Sequence, residues 1–285
     1  MRIRTLLFSL SFFLMLGLRW PSFPIYAQND GDPGDTIPPG GTITGTVALY
    51  LPLISTVDNA TPVPTPTPPP TTTFTVLPIQ GPPIDRPPAT NPDLNLMIRS
   101  YLATTNTLGL LDVDGNTDPD APQLAGLFTP PRLPTFTAVY QVYDWNWSCG
   151  ADGCRGGPIS FPAVTLLEMA VTPGEPLFIP TRNQQIFAGG YKVLVLYAEE
   201  TRITLTYTRE DTPARGYLVH LEEIQVDPAL LTLYREKDAA GRAELPALHN
   251  NERFATAGGN TLKVSIRDTG SFMDPRVRKN WWVGY

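Results

Sequence analysis

From Thr135 onward the chain is patterned with a period of two. Phe136, Ala138, Tyr140 and Val142 alternate with polar or mixed neighbours, and further strand-like runs follow at 164–171, 192–198, 202–208 and 217–222. In the run 203–208 the outer face carries β-branched Thr204, Thr206 and Thr208, which suit a pleated surface. Turn signals separate the runs, at Pro173-Gly174, Gly189-Gly190 and from Pro213 to Gly216. The last run places Leu262, Val264 and Ile266 on one face and Thr261, Lys263, Ser265 and Arg267 on the other, the signature of a half-buried strand. Asp268-Thr269-Gly270 then turns the chain. Two stretches carry helical spacing instead. Leu94, Met97, Ile98, Tyr101 and Leu102 follow Asp93 as a cap. Leu230, Leu231, Leu233 and Tyr234 follow Asp227-Pro228, where a missing N–H costs nothing, and Gly241 ends the run. Many short strands with one or two short helices predict a mainly β fold, an antiparallel sheet closed as a barrel or packed as a sandwich.

The first third lacks this pattern. Of 32 prolines, 16 fall between residues 33 and 92, and that skew divides the chain into three parts. Arg2 and Arg4, an apolar run from Leu6 to Leu18, and Ile25-Tyr26-Ala27 read as a secretory signal over residues 1–27. An uncleaved anchor is the alternative. Residues 28–93 read as a Pro/Thr-rich linker favouring extended polyproline II, interrupted by one apolar island at 47–54. Residues 94–285 form the predicted globular domain. Two cysteines, Cys149 and Cys154, five positions apart in an exported chain, read as a disulfide, with half of a zinc site as the competing reading. Asn59 and Asn146 head glycosylation-type triplets.

A formal charge of −6 and a pI near 5 argue against a nucleic-acid partner. Asp112, Asp114, Asn116, Asp118 and Asp120 alternate oxygen ligands as a calcium loop would, although Thr117 and Gln123 stand where an EF-hand needs Gly and Glu; a solvated acidic turn is the other reading. Trp145, Trp147, Trp281 and Trp282 have polar neighbours and are candidates for stacking on sugar rings, or for filling the core. His220 and His249 read as hydrogen-bonded surface or rim histidines. Glu199-Glu200 and Glu222-Glu223 are neighbouring carboxylates of the kind a glycosidase uses, and also of the kind found at solvated strand ends. No nucleophile elbow, phosphate-binding loop or dinucleotide fingerprint is present.

The segment Ile266-Arg267-Asp268-Thr269-Gly270, closing on Asp274-Pro275, resembles the end of the lysostaphin-type (M23) peptidase domain. That resemblance implies a zinc peptidase fold over roughly the last 90 residues. It also implies a lost site, because Thr261 and Lys263 occupy its His-x-His positions, and neither His220 nor His249 has an Asp four residues on. Protonated lysine is a poor zinc ligand, so no zinc ligand is assigned. The expectation is a secreted, non-catalytic binding domain at a cell surface or wall, with a glycan or surface protein as partner. The alternative is a secreted hydrolase, metal-assisted or glycan-active, with ligands of another pattern.

Overall fold

A computed structural model describes residues 73–285. The signal, the Pro/Thr segment as far as residue 72, the apolar island and Asn59 lie outside the described residues.

The fold is mainly β. One large antiparallel sheet contains β1 (Thr75–Pro78), β2 (Tyr101–Thr104), β3 (Phe136–Asn146), β4 (Cys154–Pro158), β5 (Leu166–Ala170), β7 (Tyr191–Glu199), β8 (Arg202–Thr206), β9 (Tyr217–Glu222), β11 (Glu244–His249), β13 (Thr261–Asp268) and β14 (Ser271–Met273). Its main path runs β1-β11-β7-β8-β9-β13-β5-β3-β2, with β4 on β3 and β14 on β13. A second sheet joins β10 (Ile224–Val226), β12 (Arg253–Ala257) and β6 (Pro176–Phe178). Among the described residues three α-helices accompany them: α1 (Leu96–Arg99), α2 (Pro228–Ala239) and α3 (Arg278–Trp281). None of these helices is long and apolar enough to cross a membrane.

Local chemistry accounts for the elements the pattern predicts. The Asp227 side chain accepts the Ala229 N–H at 2.9 Å and starts α2 at Pro228, and Leu230, Leu231 and Tyr234 bury its inner face against β7 and β11. Thr269 (φ 47°) and Gly270 (φ 84°) form the two-residue turn between β13 and β14. Positive φ at both central positions matches the twist of the paired strands.

Three boundaries differ from the sequence reading. The folded part starts well before residue 94. Thr75–Pro78 pairs with β11, Leu77 is buried, and Ile84 N–H donates to Asp211. Proline density masks this strand, because Pro78 stands at its end, where the ladder needs no donor from it. The helix expected behind Asp93 is a single turn capped at Asn95, and Tyr101 and Leu102 continue as strand β2. Asp93 is drawn instead to Arg99 and Arg267. His249, expected at a surface or rim, ends strand β11; its ring stacks on Tyr191 at 4.1 Å and bonds Glu252.

Strand β13 departs furthest from its expected environment. It lies mid-sheet between β9 and β5 and is covered on both faces. Leu262, Val264 and Ile266 enter the main core. Lys263, Ser265 and Arg267 are also buried, at 6%, 0% and 4% exposure. The segment from Asn91 to Tyr101 lies over them, tied down by Arg267 to Asp93 and by Thr204 to the Leu94 carbonyl.

Candidate functional site

Strand register builds a buried polar face from residues that are scattered in sequence. Across five strands, Glu199 pairs with Arg202, Arg202 with Glu222, Glu222 with Lys263, and Lys263 with Glu168. The signs alternate along this row. Arg202 meets Glu199 at 3.7 Å, and Lys263 meets Glu168 at 3.1 Å. The Lys263 ammonium also contacts Glu223, which accepts the Thr261 hydroxyl at 2.9 Å. Burial alone would push the Lys263 ammonium down, but Glu223 and Glu168 outweigh it, and its pKa rises above the usual lysine value. Burial likewise pushes Glu168 up, while the Tyr140 and Thr137 hydroxyls and Lys263 draw it below the usual carboxylate value.

Glu222 is the exception in this row. It is 5% exposed, neither neighbouring cation forms an ion pair with it, and its Oε1 has no hydrogen-bond partner. Arg202 leans toward Glu199 and Asn95, and Lys263 toward Glu223 and Glu168. Burial raises the Glu222 pKa, and the fields of Arg202 and Lys263, with the Tyr101 hydroxyl, only partly offset it. Arg202 Nε is likewise buried and without a partner. An unpaired acceptor and an unpaired donor are thus held on adjacent strands, where each costs about 1–3 kcal/mol.

Both side chains line a cavity of about 570 Å³ whose wall includes Met97, Tyr101, Glu223 and Thr261. That volume lies within the range of small-molecule sites. The floor near Gly258 depends on a close approach. Its N–H donates to the Glu223 carbonyl at 2.9 Å, and a Cβ there would lie 2.8 Å from that oxygen. Glu223 itself holds a φ of 64°, which turns the chain out of β9 and sends its side chain over Lys263 and Thr261. Behind the cavity, Arg202, His220 and Glu222 share a narrow cleft with Leu94 and Tyr197.

The next row on this face is Thr204, His220 and Ser265. The Thr204 hydroxyl donates to the Leu94 carbonyl at 2.6 Å, so it accepts from His220 Nδ1 at 2.9 Å. That assigns the Nδ1–H tautomer and leaves Nε2, which has no partner, as a bare acceptor. Burial pushes His220 down to about 3, with Arg267 adding to it. Ser265 donates to the Thr165 carbonyl at 2.6 Å and not to His220. Serine and histidine are paired in register, yet they form no nucleophile–base bond. Beyond them, Asp93 bridges Arg99 and Arg267. Burial pushes Asp93 up, but Arg267 and Arg99 together bring it below the usual carboxylate value.

The residues singled out in the sequence fall elsewhere. Trp281 and Trp282 are core residues, 1% and 0% exposed, whose indole N–H groups donate to the Asp274 and Pro275 carbonyls. They present no ring face to a ligand; a short helix at the chain end folds them inward against Tyr217 and Phe136. Trp145 is half-buried and Trp147 is 40% exposed, both at the β3–β4 hairpin. Arg86 covers one face of the Trp147 ring at 4.5 Å, and Trp145 donates to the Asp152 carbonyl. The Cys149–Cys154 disulfide closes this hairpin. The acidic run does not converge as a calcium loop. Asp112 bonds Arg278, the Asp114 carbonyl accepts from Lys279, and Asp118 takes the Asp120 N–H and the Tyr217 hydroxyl. No group of three His, Cys, Asp or Glu side chains placed to hold a metal forms among the described residues. His220 is not on a rim but fully buried, and Glu222 is not at a solvated strand end.

Sequence reasoning noticed Glu222 and Lys263 but not Arg202 or Tyr101, nor the cavity they share. The available signal was the recurrence of polar residues at alternate positions on β8, β9 and β13. Alternation alone marks three polar faces without stating what covers them. No family model, curated protein or solved structure matches the chain.

Proposed function

We propose that this chain is an exported, non-catalytic binding domain that acts at a cell surface or wall, with a glycan or a surface protein as its partner. The observation carrying this reading is the division of labour on the polar face. Its reactive groups, Lys263, Ser265, Arg267 and Asp93, are committed to fixed bonds within the protein. Arg202 and Glu222, each with one buried atom left unpaired, are among the residues lining a cavity beside them. Where the peptidase resemblance would require zinc-binding imidazoles, Thr261 and Lys263 bond Glu223, which supports loss of that chemistry. The test is adsorption of the full-length protein to isolated cell envelopes and to purified wall polymers. Saturable retention is expected; a protein that stays wholly in the supernatant contradicts the reading.

One observation favours the hydrolase reading. Glu222 and Glu168 stand on either side of Lys263, one carboxyl raised and the other lowered. Environments that push two carboxyls apart are how glycosidases assign an acid and its partner. Incubation with peptidoglycan and with soluble glycans separates the two readings. Product release that Glu222→Gln abolishes would replace binding with catalysis; release abolished by a zinc chelator would revive the metallopeptidase.

A further inference from the structure

We infer that the groove formed beside Phe161 and Phe272 binds a small amphiphile, an acyl chain ending in a carboxylate, with its head toward Arg99 and Arg267 and its tail along Leu111 and Met273. Such a ligand is separate from the surface partner proposed above and binds whether or not that partner does. Two cavities meet at this place. One, of about 550 Å³, has Arg99, Arg267 and Asp144 in its wall. The other, of about 750 Å³, has Leu111, Val113, Pro162, Ala163, Met273 and Val277 in its wall. Ser160, Phe161, Ser271 and Phe272 line both, so the two adjoin as one groove with chemically different ends.

The charge of the groove is one-sided. At the polar end Arg99 and Arg267 share one carboxylate, Asp93, and their other hydrogen bonds go to the Pro92, Tyr143 and Gly270 carbonyls. Burial holds the Arg267 guanidinium below the usual arginine value; Asp93 only partly offsets this, and Arg99 adds to it. A surplus of positive charge is thus built into this wall. Asp144 stands 3.8 Å from Arg99, but its side chain is 72% exposed and its field is screened by solvent. The guanidinium groups are bonded within the protein and act on a ligand head through their field. The exposed hydroxyls of Ser160 and Ser271, where the two cavities adjoin, supply donors. At the other end Arg276 is neutralised, bonded to both oxygens of Asp274 and to Asn106. Apolar side chains dominate there, and Leu111, Val113 and Phe161 are exposed, Phe161 at 93%. An acyl tail covers such a surface and brings no polar group that needs a partner, whereas a peptide brings an N–H and a carbonyl with almost every residue. A carboxylate carries the single negative charge that the surplus calls for; the second charge of a phosphate monoester would meet Asp144.

The test is calorimetric titration of the full-length protein with decanoate below its micelle concentration. Acetate carries the head alone, decanol the tail with a neutral head, and decyltrimethylammonium the tail with the opposite charge. Decanoate is expected to bind at least about tenfold more tightly than acetate or decyltrimethylammonium. Its affinity should fall as salt is raised, and that of decanol should not. Ser271→Asp, which puts a carboxylate at the exposed junction, weakens decanoate about tenfold and leaves decanol unchanged. Ala163→Trp, which fills the apolar end from an exposed position, weakens both. Phe161→Ala removes a ring that packs on almost nothing in the protein, so it keeps the test open if Ala163→Trp does not fold; it too weakens both. Thermal melts report the folding of each variant. The acyl site is overturned by absence of decanoate binding, by decyltrimethylammonium binding as tightly as decanoate, or by folded Ala163→Trp and Phe161→Ala proteins that bind decanoate as the parent does. A peptide with a C-terminal leucine that binds more tightly than decanoate and displaces it would also overturn it, and would make the groove a peptide site.

Discussion

Glu222 and His220 sit two positions apart on one strand, and burial moves their pKa values in opposite directions, each toward the neutral form. A carboxyl whose folded pKa lies above its unfolded value destabilises the fold once pH rises through that window. Glu222→Gln is therefore expected to raise the melting temperature at pH 7. Relief of about 1 kcal/mol corresponds to about 2–4 °C. The gain should close as pH falls toward the ordinary carboxylate value; a gain that persists unchanged in acid would contradict this account. His220 has the reverse sign. Its folded pKa of about 3 lies below the ordinary histidine value of 6.5, so the unfolded chain takes up the proton first. Its contribution is whole above 6.5 and is lost as pH falls toward 3. Comparing pH–stability curves of the parent and His220→Gln isolates that slope, which the variant should lack.

At the scale of elements, the cavity depends on how β9 leaves the sheet and β12 returns. Gly258 lies where any Cβ would press on the Glu223 carbonyl and approach that of Ile224 at 3.3 Å. Both contacts are backbone, so neither can swing aside. Gly258→Ala is expected to cost about 1–3 kcal/mol, read by chemical denaturation. A neutral effect would mean that this turn is softer than its contacts imply. The β3–β4 hairpin has its own staple. Closing five positions between Cys149 and Cys154 removes about 2 kcal/mol of chain entropy from the unfolded state. Cys149→Ser should lose about that much, and thiol titration of the native parent should find no free sulfhydryl.

Across the whole molecule, non-local pairing dominates. The β1 edge joins residues 75–78 to 244–247, and β13 is laid between β9 and β5. The domain thus reaches back through the proline-rich stretch as far as β1. The Ile79 and Gln80 N–H groups donate to the Ala243 and Arg209 carbonyls. Limited proteolysis is expected to leave a fragment that begins near Thr73. A stable core that starts near residue 90 would show that β1 is dispensable.

Much of this fold was legible without coordinates. Period-two runs located β3, β5, β7, β8, β9 and β13, because a strand records its own pleat in its own residues. The Asp227-Pro228 cap placed α2, because capping needs only neighbours along the chain. The close pair of cysteines indicated the disulfide for the same reason. The environment of each strand's polar face was not legible. Lys263, Ser265 and Arg267 read as solvent-facing because alternation distinguishes two faces without saying which are covered. The cover comes from Asn91 to Tyr101, some 170 positions away, and only tertiary structure brings it there. Trp281 and Trp282 read as candidates for a surface because polar neighbours flank them, and their burial was decided by where the chain end packs. The alternating row from Glu199 to Glu168 exists only in the strand register, which joins five strands in an order that differs from their order along the chain. Its unpaired member, Glu222, was visible as one of two adjacent carboxylates. That it is buried, only partly compensated and at the wall of a cavity follows from contacts that local sequence does not encode.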